Sequence, residues 1–546
     1  VRDATGAITA WIEVGAPEAD LYGNVMVKAF PLPAAGPGTL LETRVERITE
    51  SRPDGFGGIE YFQSDEPLLE KRLRLIIPRD RPLVWRAQPG ESVQLVRSVE
   101  RGMDVYSFYV SDSPPVPDEP ASPPLSRLAA RLVFSSYRDW SAAARPFAGT
   151  YWEKVRQCPR VESFTAGLVA GAKDEREQLE RIYAFVTRQV RSVPLGLSLA
   201  GSAPHAPDEI LEKRYGDVKD KAVLAGAMLA AAGFNFWPVF LNSQYLPLAE
   251  DVPALEQFDT IVLRVALSGG GPLILDPFNP TGSLGWCPFA AGNRGLEVRP
   301  DGCSLADTDL PADEASLARN LFRIELAGDG SARASAECSL QGAFAAAARR
   351  ALGEMTPAAL QVFYSDAARI AAPEAVLAEG RSDHLGDTGR EVDIELRFGA
   401  GQLGIRQGDI LVLDLPTFPV PLAETTMYLG LESRKNPLSL GPPASSRTRT
   451  EVRLPEGAEV LYLPPGLSRT EPAWAAHRTF RYDAAARAIL VEAEIGVLQP
   501  VLPPADYARA REFFRRWLDR PNNLVILRAP AAAGAKAPPP GGGKGK

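Results

Sequence analysis

The residues with the clearest chemical potential lie together in the run Arg-Tyr-Gly-Asp-Val-Lys-Asp-Lys-Ala at 214–222. Its carboxylates and ammonium groups are of the types that carry acid–base chemistry. The spacing also predicts a helix start, because Gly216 permits a turn, Asp217 can act as an N-cap, and the apolar stretch 218–232 ends at Gly233. The first residue of that helix is Val218, which has no nucleophilic atom.

Lys219 and Asp220 could in principle form new acid–base machinery beside Val218. Adjacent positions do not share a helix face, however, so helix capping or a solvated ion pair is the favoured interpretation. For Asp217 the simplest role is the N-cap.

The sulfur and imidazole side chains are scattered along the chain. The cysteines have no C-x-x-C spacing, which argues against a zinc site and against a dense disulfide framework. The three histidines are equally far apart and predict no metal centre. These residues are Cys158, Cys287, Cys303 and Cys338, and His205, His384 and His477.

A displaced catalytic pair is conceivable, because Cys287 follows Asp276 by 11 residues and His205 precedes Val218 by 13. The alternative is that Cys287 is a small buried hydrophobic residue and His205 belongs to a loop. The sequence leaves both interpretations open.

Composition excludes several classes of function. The 546 residues are 45% hydrophobic and 23% charged, with a mean hydropathy of −0.11, as in a soluble globular protein. A net charge of −8 gives no general reason to bind nucleic acid or an anionic membrane, although a local basic patch remains compatible with it. No cofactor motif is present, and the longest apolar stretch, 222–240, is interrupted by glycine and proline, so no transmembrane helix is predicted.

The order of local patterns predicts several units in series, each large enough for its own core. Short β-type runs fill an N-terminal β-sandwich domain at 1–125, whose proline-rich end, 111–124, predicts a linker or an extended strap. Helices followed by antiparallel strands at 126–312 predict an α+β core. A β-rich domain at 313–440 contains a helix near 357–371.

The remainder of the chain predicts a C-terminal β domain at 441–528 and a disordered tail at 529–546, where Ala, Pro, Gly and Lys leave nothing to bury. The predicted fold class is therefore multidomain α+β, with an N-terminal β-sandwich, a central α+β core and a C-terminal β-sandwich-type region. We find no repeat of 20 to 50 residues.

Several segments together resemble the bacterial transglutaminase-like superfamily, in the form where a β domain of unknown function precedes a cysteine-peptidase-like (papain-like) core and another follows it. The resemblance covers roughly residues 60–528. It rests on RLVFSSYRDW at 131–140, PLGLSLAGSAP at 194–204, RYGDVKDKA at 214–222, AAAGFNFWPVFLN at 230–242, FDTIV at 258–262, LDP at 275–277 and LPPADY at 502–507.

This resemblance implies a catalytic triad in which a cysteine at the helix start attacks an amide or ester carbonyl, a histidine supplies the base, and an aspartate orients the imidazole. Matched position by position, the cysteine position holds Val218, the histidine position holds Thr260, and the aspartate position holds Asp276. Two of the three roles are therefore vacant. Asp276 is predicted to accept hydrogen bonds from Thr260 or from a turn amide.

The preferred functional prediction is thus a catalytically inactive transglutaminase-like protein, a pseudoenzyme, that binds or scaffolds a protein partner without a cofactor or metal. One alternative is an enzyme with altered amide or ester chemistry that uses Asp276 or Cys287. Another is a structural envelope component whose old cleft is filled by Trp237 and Trp286.

A periplasmic or cell-envelope location follows from the resemblance, since proteins of this arrangement are usually exported. The chain starts at Val1, which is compatible with a removed leader. Any membrane association is therefore expected only through a partner or a removed N-terminal signal.

Overall fold

The computed structural model describes residues 10–13, 26–29, 55–90, 92–195, 197, 203–308, 316–415 and 428–529. The chain divides into two compact units. The first comprises residues 1–116, 124–280 and 292–309, and the second comprises residues 117–123, 281–291 and 310–546. Within the predicted N-terminal β domain, residues 14–25 and 30–54 lie outside the described residues, as does the predicted tail from residue 530.

The first unit opens with β structure, as the short alternating runs predict. Its sheets in this region have the orders β1-β2, β3-β8-β5 and β4-β7-β6, and Phe62, Phe108 and Leu132 lie in their core. β8 comes from the predicted core range, yet it pairs with two strands of the N-terminal range. The strands are β1 (Ala10–Glu13), β2 (Met26–Ala29), β3 (Gly57–Tyr61), β4 (Leu68–Pro78), β5 (Val84–Gln88), β6 (Gln94–Glu100), β7 (Met103–Ser113) and β8 (Arg131–Ser135).

Helices and an antiparallel sheet form the rest of the first unit. The helices are α1 (Leu125–Leu128), α2 (Trp140–Arg156), α3 (Pro159–Val169), α4 (Glu175–Ala184), α5 (Pro207–Lys213) and α6 (Val218–Ala231), with a π-helical turn at Phe185–Gln189 and a 3₁₀ turn at Leu255–Gln257. The strands are β9 (Arg191–Ser192), β10 (Tyr215–Gly216), β11 (Asn235–Leu241), β12 (Thr260–Ala266), β13 (Leu273–Leu275), β14 (Arg294–Arg299) and β15 (Gly302–Asp307). The five-stranded sheet has the order β13-β12-β11-β14-β15.

α6 is the central helix of this unit. Every residue from Val218 to Leu229 is buried, which is typical of a helix surrounded by protein on all sides. It packs against α2, α3, α5, β11 and β12. Gly233 ends it with a positive φ of 82°, and the N–H of Phe234 bonds to Leu229 O at 3.0 Å, so the predicted glycine stop is confirmed.

The second unit is built on an eight-stranded sheet of order β18-β19-β17-β16-β23-β27-β26-β25. Its strands are β16 (Ser316–Leu326), β17 (Ala332–Leu340), β18 (Ala375–Asp383), β19 (Val392–Ala400), β20 (Gly404–Gln407), β21 (Ile410–Asp414), β22 (Leu438–Ser439), β23 (Ala444–Arg453), β24 (Glu459–Tyr462), β25 (Leu467–Thr470), β26 (Trp474–Asp483), β27 (Ala488–Val497), β28 (Val501–Leu502) and β29 (Leu524–Arg528). The helices are α7 (Ala343–Leu352), α8 (Pro357–Ala371) and α9 (Pro504–Leu518), with 3₁₀ turns at Tyr428–Gly430 and Arg520–Asn522.

Alternation along the strands explains how this sheet is covered. In β16 the even-numbered residues are buried and none of the odd-numbered ones is, so one face carries the core and the other faces solvent. Strands from both predicted ranges, 313–440 and 441–528, contribute to this one sheet. The range boundary at 440 therefore does not separate two sheets.

The proline-rich segment contributes an extended strap to the second unit. The carboxylate of Glu119 accepts the backbone N–H groups of Lys435 and Asn436, each at 2.9 Å. The N–H of Ser439 bonds to Ala121 O at 2.8 Å. Because its prolines lack backbone N–H donors, this segment cannot form a sheet or a helix of its own. Hydrogen bonds to residues outside the segment hold it in place instead. At the other end, Ala529 is buried and bonds to Asp409 O, which corrects its assignment to the tail.

We predict opposite effects for two glycine-to-alanine changes in helices of the first unit. A Cβ at Gly226 would overlap the Tyr151 hydroxyl and would lie 2.9 Å from the Phe236 ring, whereas a Cβ at Gly149 meets nothing within 4 Å. Gly226→Ala should lower the free energy of unfolding by about 1–3 kcal/mol, and the matched Gly149→Ala should raise it by about 0.5–1 kcal/mol. Guanidinium denaturation measures both, and a stabilised Gly226→Ala would contradict this packing.

Candidate functional site

The start of α6 has the geometry that the sequence predicts. The Asp217 carboxylate accepts the N–H of Lys219 at 2.9 Å and the N–H of Asp220 at 3.1 Å, so Asp217 is confirmed as the N-cap. Val218 is the first helical residue and is 7% exposed. The helix end is therefore complete without any atom from the side chain at 218.

Lys219 forms a buried ion pair with its own cap residue. Its ammonium group contacts the Asp217 carboxylate, and both side chains are almost fully buried. Of the two alternatives predicted for Lys219 and Asp220, helix capping or a solvated ion pair, the solvated pair is wrong, because both side chains are buried and each has another partner. Burial raises the pKa of Asp217, and the nearby Asp220 raises it further, while Lys219 acts in the opposite direction.

Asp220 connects α6 to the loop that precedes α5. Its carboxylate, 1% exposed, accepts the backbone N–H of His205 at 2.7 Å and lies 2.9 Å from His205 Nδ1. The imidazole itself is about half exposed, at 48%. A Cβ at Gly216 would approach Asp220 Cβ to 2.7 Å, so position 216 requires glycine.

Lys221 is a second buried lysine, with different partners. It is fully buried, and its Nζ donates to Val190 O at 2.9 Å and to Ser192 Oγ at 2.8 Å. Burial lowers the pKa of Lys221 to about 8, although the charge of Asp276 opposes that shift. The sequence analysis gave no role to Lys221 or Ser192. The available signal was helical spacing, because Lys221 is three residues from Val218 and shares its face.

Thr260 and Asp276 occupy the ends of neighbouring strands. Thr260 is the first residue of β12 and is 8% exposed. Asp276 directly follows β13, and Leu275 pairs with Leu263. Continuing that register places Asp276 opposite Val262, on the same sheet face as Thr260.

The Asp276 carboxylate is 4% exposed and accepts the N–H of Phe278 at 3.0 Å. The predicted turn-amide partner is therefore confirmed. Burial raises the pKa of Asp276 to about 6, while the bond from Phe278 and the charge of Lys221 act to lower it. Lys221 Nζ lies 5.6 Å from the centroid of the Phe278 ring, so the end of β13 lies close to the first turns of α6.

The displaced nucleophile predicted from the sequence, Cys287, is 1% exposed and belongs to the second unit, whereas His205 and Asp276 belong to the first.

Trp286 also belongs to the second unit, while Trp237 is buried in the first. The Arg299 guanidinium lies 3.8 Å from the centroid of the Trp237 ring. Elsewhere, burial raises the pKa of Cys158 to about 11. Protonated buried thiols are chemically inert.

The described residues contain neither a candidate metal cluster nor a candidate membrane-spanning helix. No group of three or more His, Cys, Asp or Glu side chains there could hold a metal ion. Within the same ranges, no helix has the length and apolar character needed to cross a membrane.

Comparisons with known proteins agree with the arrangement inferred from the motifs. Residues 12–117 match the domain of unknown function DUF3857, and residues 410–527 match the domain of unknown function DUF3858. These two matches lie on either side of the α+β core. No curated protein matches the chain.

Among solved structures, the chain is similar to a "putative protease" from Parabacteroides distasonis, with 16% sequence identity and a TM-score of 0.56 over 86% of this chain and 74% of that one. A "putative cysteine protease" from Cytophaga hutchinsonii also matches, at 9% identity over 46% of this chain and 84% of that one, with a TM-score of only 0.22. The first similarity, together with the domain matches, supports a transglutaminase-like fold of mixed α and β content.

We predict that the buried Asp276 carboxylate makes stability fall between about pH 4 and pH 6. Its pKa is raised from 3.8 to about 6 in the folded chain, so the unfolded chain releases its proton first and folding loses up to roughly 3 kcal/mol as the pH rises. Asp276→Asn should remove most of this fall, because an amide does not ionise between these pH values. The amide oxygen can still accept the N–H of Phe278, so the local fold should be kept. Denaturant unfolding at several pH values measures the effect.

The matched control is Asp251→Asn. The salt bridge with Arg86 lowers the pKa of Asp251, so its stabilising effect is present above the unfolded pKa and is lost as the pH falls. This change should leave the decrease between pH 4 and pH 6 in place. An unchanged pH dependence in Asp276→Asn would contradict the assignment to Asp276.

Proposed function

We propose that this chain is a catalytically inactive transglutaminase-like protein that acts as a protein-binding or scaffolding subunit of the bacterial envelope. The observation that carries the proposal is the pair Val218 and Thr260, which occupy the first positions of α6 and β12. Those are the positions where the resemblance implies a nucleophile and a base.

The chemical argument concerns the side chains themselves. Valine has no lone pair and forms no acyl intermediate, and loss of such a nucleophile typically costs on the order of 10⁶ in rate. Threonine does not act as a base near neutral pH. The proposed function therefore does not include a cysteine-dependent reaction.

A concave surface in the second unit supports the binding role. A groove of about 860 Å³ follows the solvent face of the eight-stranded sheet. Cross-strand ion pairs line it, among them Arg447 with Glu494 at 3.0 Å and Arg381 with Glu395 at 2.6 Å. Such a charged surface suits a polar protein partner whose side chains can replace these exposed pairs. The envelope location remains part of the proposal and rests on the resemblance.

A second candidate function is an enzyme with altered amide or ester chemistry. Asp276 and Lys221 favour it, since their pKa values, about 6 and about 8, bring both groups towards neutral pH beside Val218. Buried titratable groups with shifted pKa values concentrate at functional sites. Cys287 is the less favoured route because its thiol is buried.

We predict that Val218→Cys combined with Thr260→His creates thiol-dependent amide or ester hydrolysis, while the parent chain shows none that requires a thiol. The resemblance implies that these two positions, together with Asp276, form the triad. Hydrolysis of a fluorogenic peptide or ester substrate, with and without iodoacetamide, measures the gain. The single changes serve as controls and should show no thiol-dependent hydrolysis. Thiol-dependent hydrolysis by the parent would contradict the proposal.

We also predict that an envelope extract of the source bacterium contains a partner that the native chain retains through the groove. Arg319→Glu with Arg447→Glu should reduce retention at least tenfold by reversing two charges that line it. The control, Arg397→Glu with Arg453→Glu, alters exposed arginines of the same sheet that do not line the groove. Equal retention by both double variants and the parent would exclude the groove.

A further inference from the structure

A serine hydroxyl lies within hydrogen-bond distance of a fully buried amine beside Val218. Ser192 Oγ is 2.8 Å from Lys221 Nζ, although the two residues are 29 positions apart in sequence. β9 holds Ser192 in a parallel pair with β10, where Ser192 is the register partner of Gly216. The N–H of Val193 fixes this pair further through Gly216 O at 2.9 Å.

The two buried lysines of α6 differ in the charge of their hydrogen-bond partners. Lys219 contacts the carboxylate of Asp217, which keeps an ammonium group charged. The hydrogen bonds of Lys221 instead go to a carbonyl and a hydroxyl, and the Phe278 ring centroid lies 5.6 Å from its Nζ. A buried amine whose hydrogen-bond partners are neutral loses its proton more readily than one that faces a carboxylate, although the cation–π contact with the Phe278 ring acts in the opposite direction.

Ser192 is also reachable. Its side chain is partly exposed, whereas Lys221 is fully buried. The hydroxyl lies 3.3 Å from Phe278 O, to which it donates in this state. A substrate can therefore reach the hydroxyl of Ser192, while Lys221 lies behind it within hydrogen-bond distance, as a base must for acyl transfer.

We propose that Ser192 and Lys221 form a serine–lysine dyad that accepts acyl groups from an ester or amide substrate. The inference rests on the second candidate function and replaces Asp276 and Cys287 as the residues that carry it. Partner binding by the groove is independent of it, because the dyad belongs to the first unit and the groove to the second.

The reaction balances without any further reactant except water. Neutral Lys221 Nζ accepts the proton of Ser192 Oγ as that oxygen forms a bond to the substrate carbonyl carbon. The bond from that carbon to the leaving oxygen or nitrogen breaks, and the Lys221 ammonium returns the proton to the leaving group. Water then attacks the acyl-serine ester with Lys221 again as base, which releases the acid and restores the hydroxyl.

Ionisation of Lys221 sets the working pH of this dyad. With a pKa of about 8, roughly a fifth of the chains hold the neutral amine near pH 7.4. Burial is the main cause, and Asp276 is the charged group whose field opposes it. The rate should therefore rise with pH to a plateau above about pH 9, and Asp276→Asn should move the midpoint to lower pH.

The test uses the purified full chain, a fluorophosphonate probe and p-nitrophenyl acetate. The dyad predicts a labelled Ser192 in peptide mass spectrometry, and a loss of labelling and hydrolysis of at least about 100-fold in Ser192→Ala. Lys221→Arg keeps the positive donor but supplies no base, so it should lose a similar factor. Ser126→Ala is the control, since Ser126 is a partly exposed serine bonded to Gln244, and it should match the parent.

Each outcome decides the question. Labelling that survives Ser192→Ala, or a parent that neither reacts nor hydrolyses the ester, overturns the dyad. If Lys221→Arg fails to fold by circular dichroism, Ser192→Ala and the pH profile of the parent still decide. Hydrolysis abolished by Asp276→Asn or Cys287→Ala but not by Ser192→Ala also overturns it, while leaving the second candidate function standing through another residue.

Discussion

The buried start of α6 is the constraint on which the first unit depends. A helix end has unpaired backbone N–H groups, and these must find acceptors inside the protein when no water reaches them. Asp217 meets this need with two bonds to the backbone. Its own charge is then buried, so Lys219 must lie against it. One requirement of the backbone therefore brings a buried ion pair into the core.

The same logic extends outward from the helix. Asp220 holds the loop at His205, and Lys221 holds the strand that ends at Ser192. None of these contacts involves the side chain at position 218. The contacts that hold the start of α6 in place are therefore complete with valine at position 218.

The second unit depends on a simpler principle, the alternation of buried and exposed residues across one wide sheet. The inner face packs against the helices of that unit, with Phe322, Trp474 and Tyr507 in its core. The outer face carries arginines and glutamates in cross-strand pairs, each worth at most about 1 kcal/mol where exposed. Such pairs contribute little to stability, so the fold of this unit depends on the inner face of the sheet and not on the charges of the outer face.

The sequence by itself determined the local elements and the residue types at the start of α6 and at the strand ends. Periodicity placed α8 at Pro357–Ala371, the cap and stop signals placed α6, and the motif order identified the positions of Val218, Thr260 and Asp276. These features depend on neighbours in the chain or on residue identity alone, which a linear pattern records directly.

Only the tertiary structure decided the environment of each charge and the grouping of distant strands. Lys219 and Lys221 are both lysines of one short run, yet burial beside Asp217 gives one an ion pair, and burial beside Val190 and Ser192 gives the other neutral partners. Likewise, strands on both sides of residue 440 join one sheet. Solvation and long-range pairing depend on what surrounds a residue in space, and adjacent letters do not encode that.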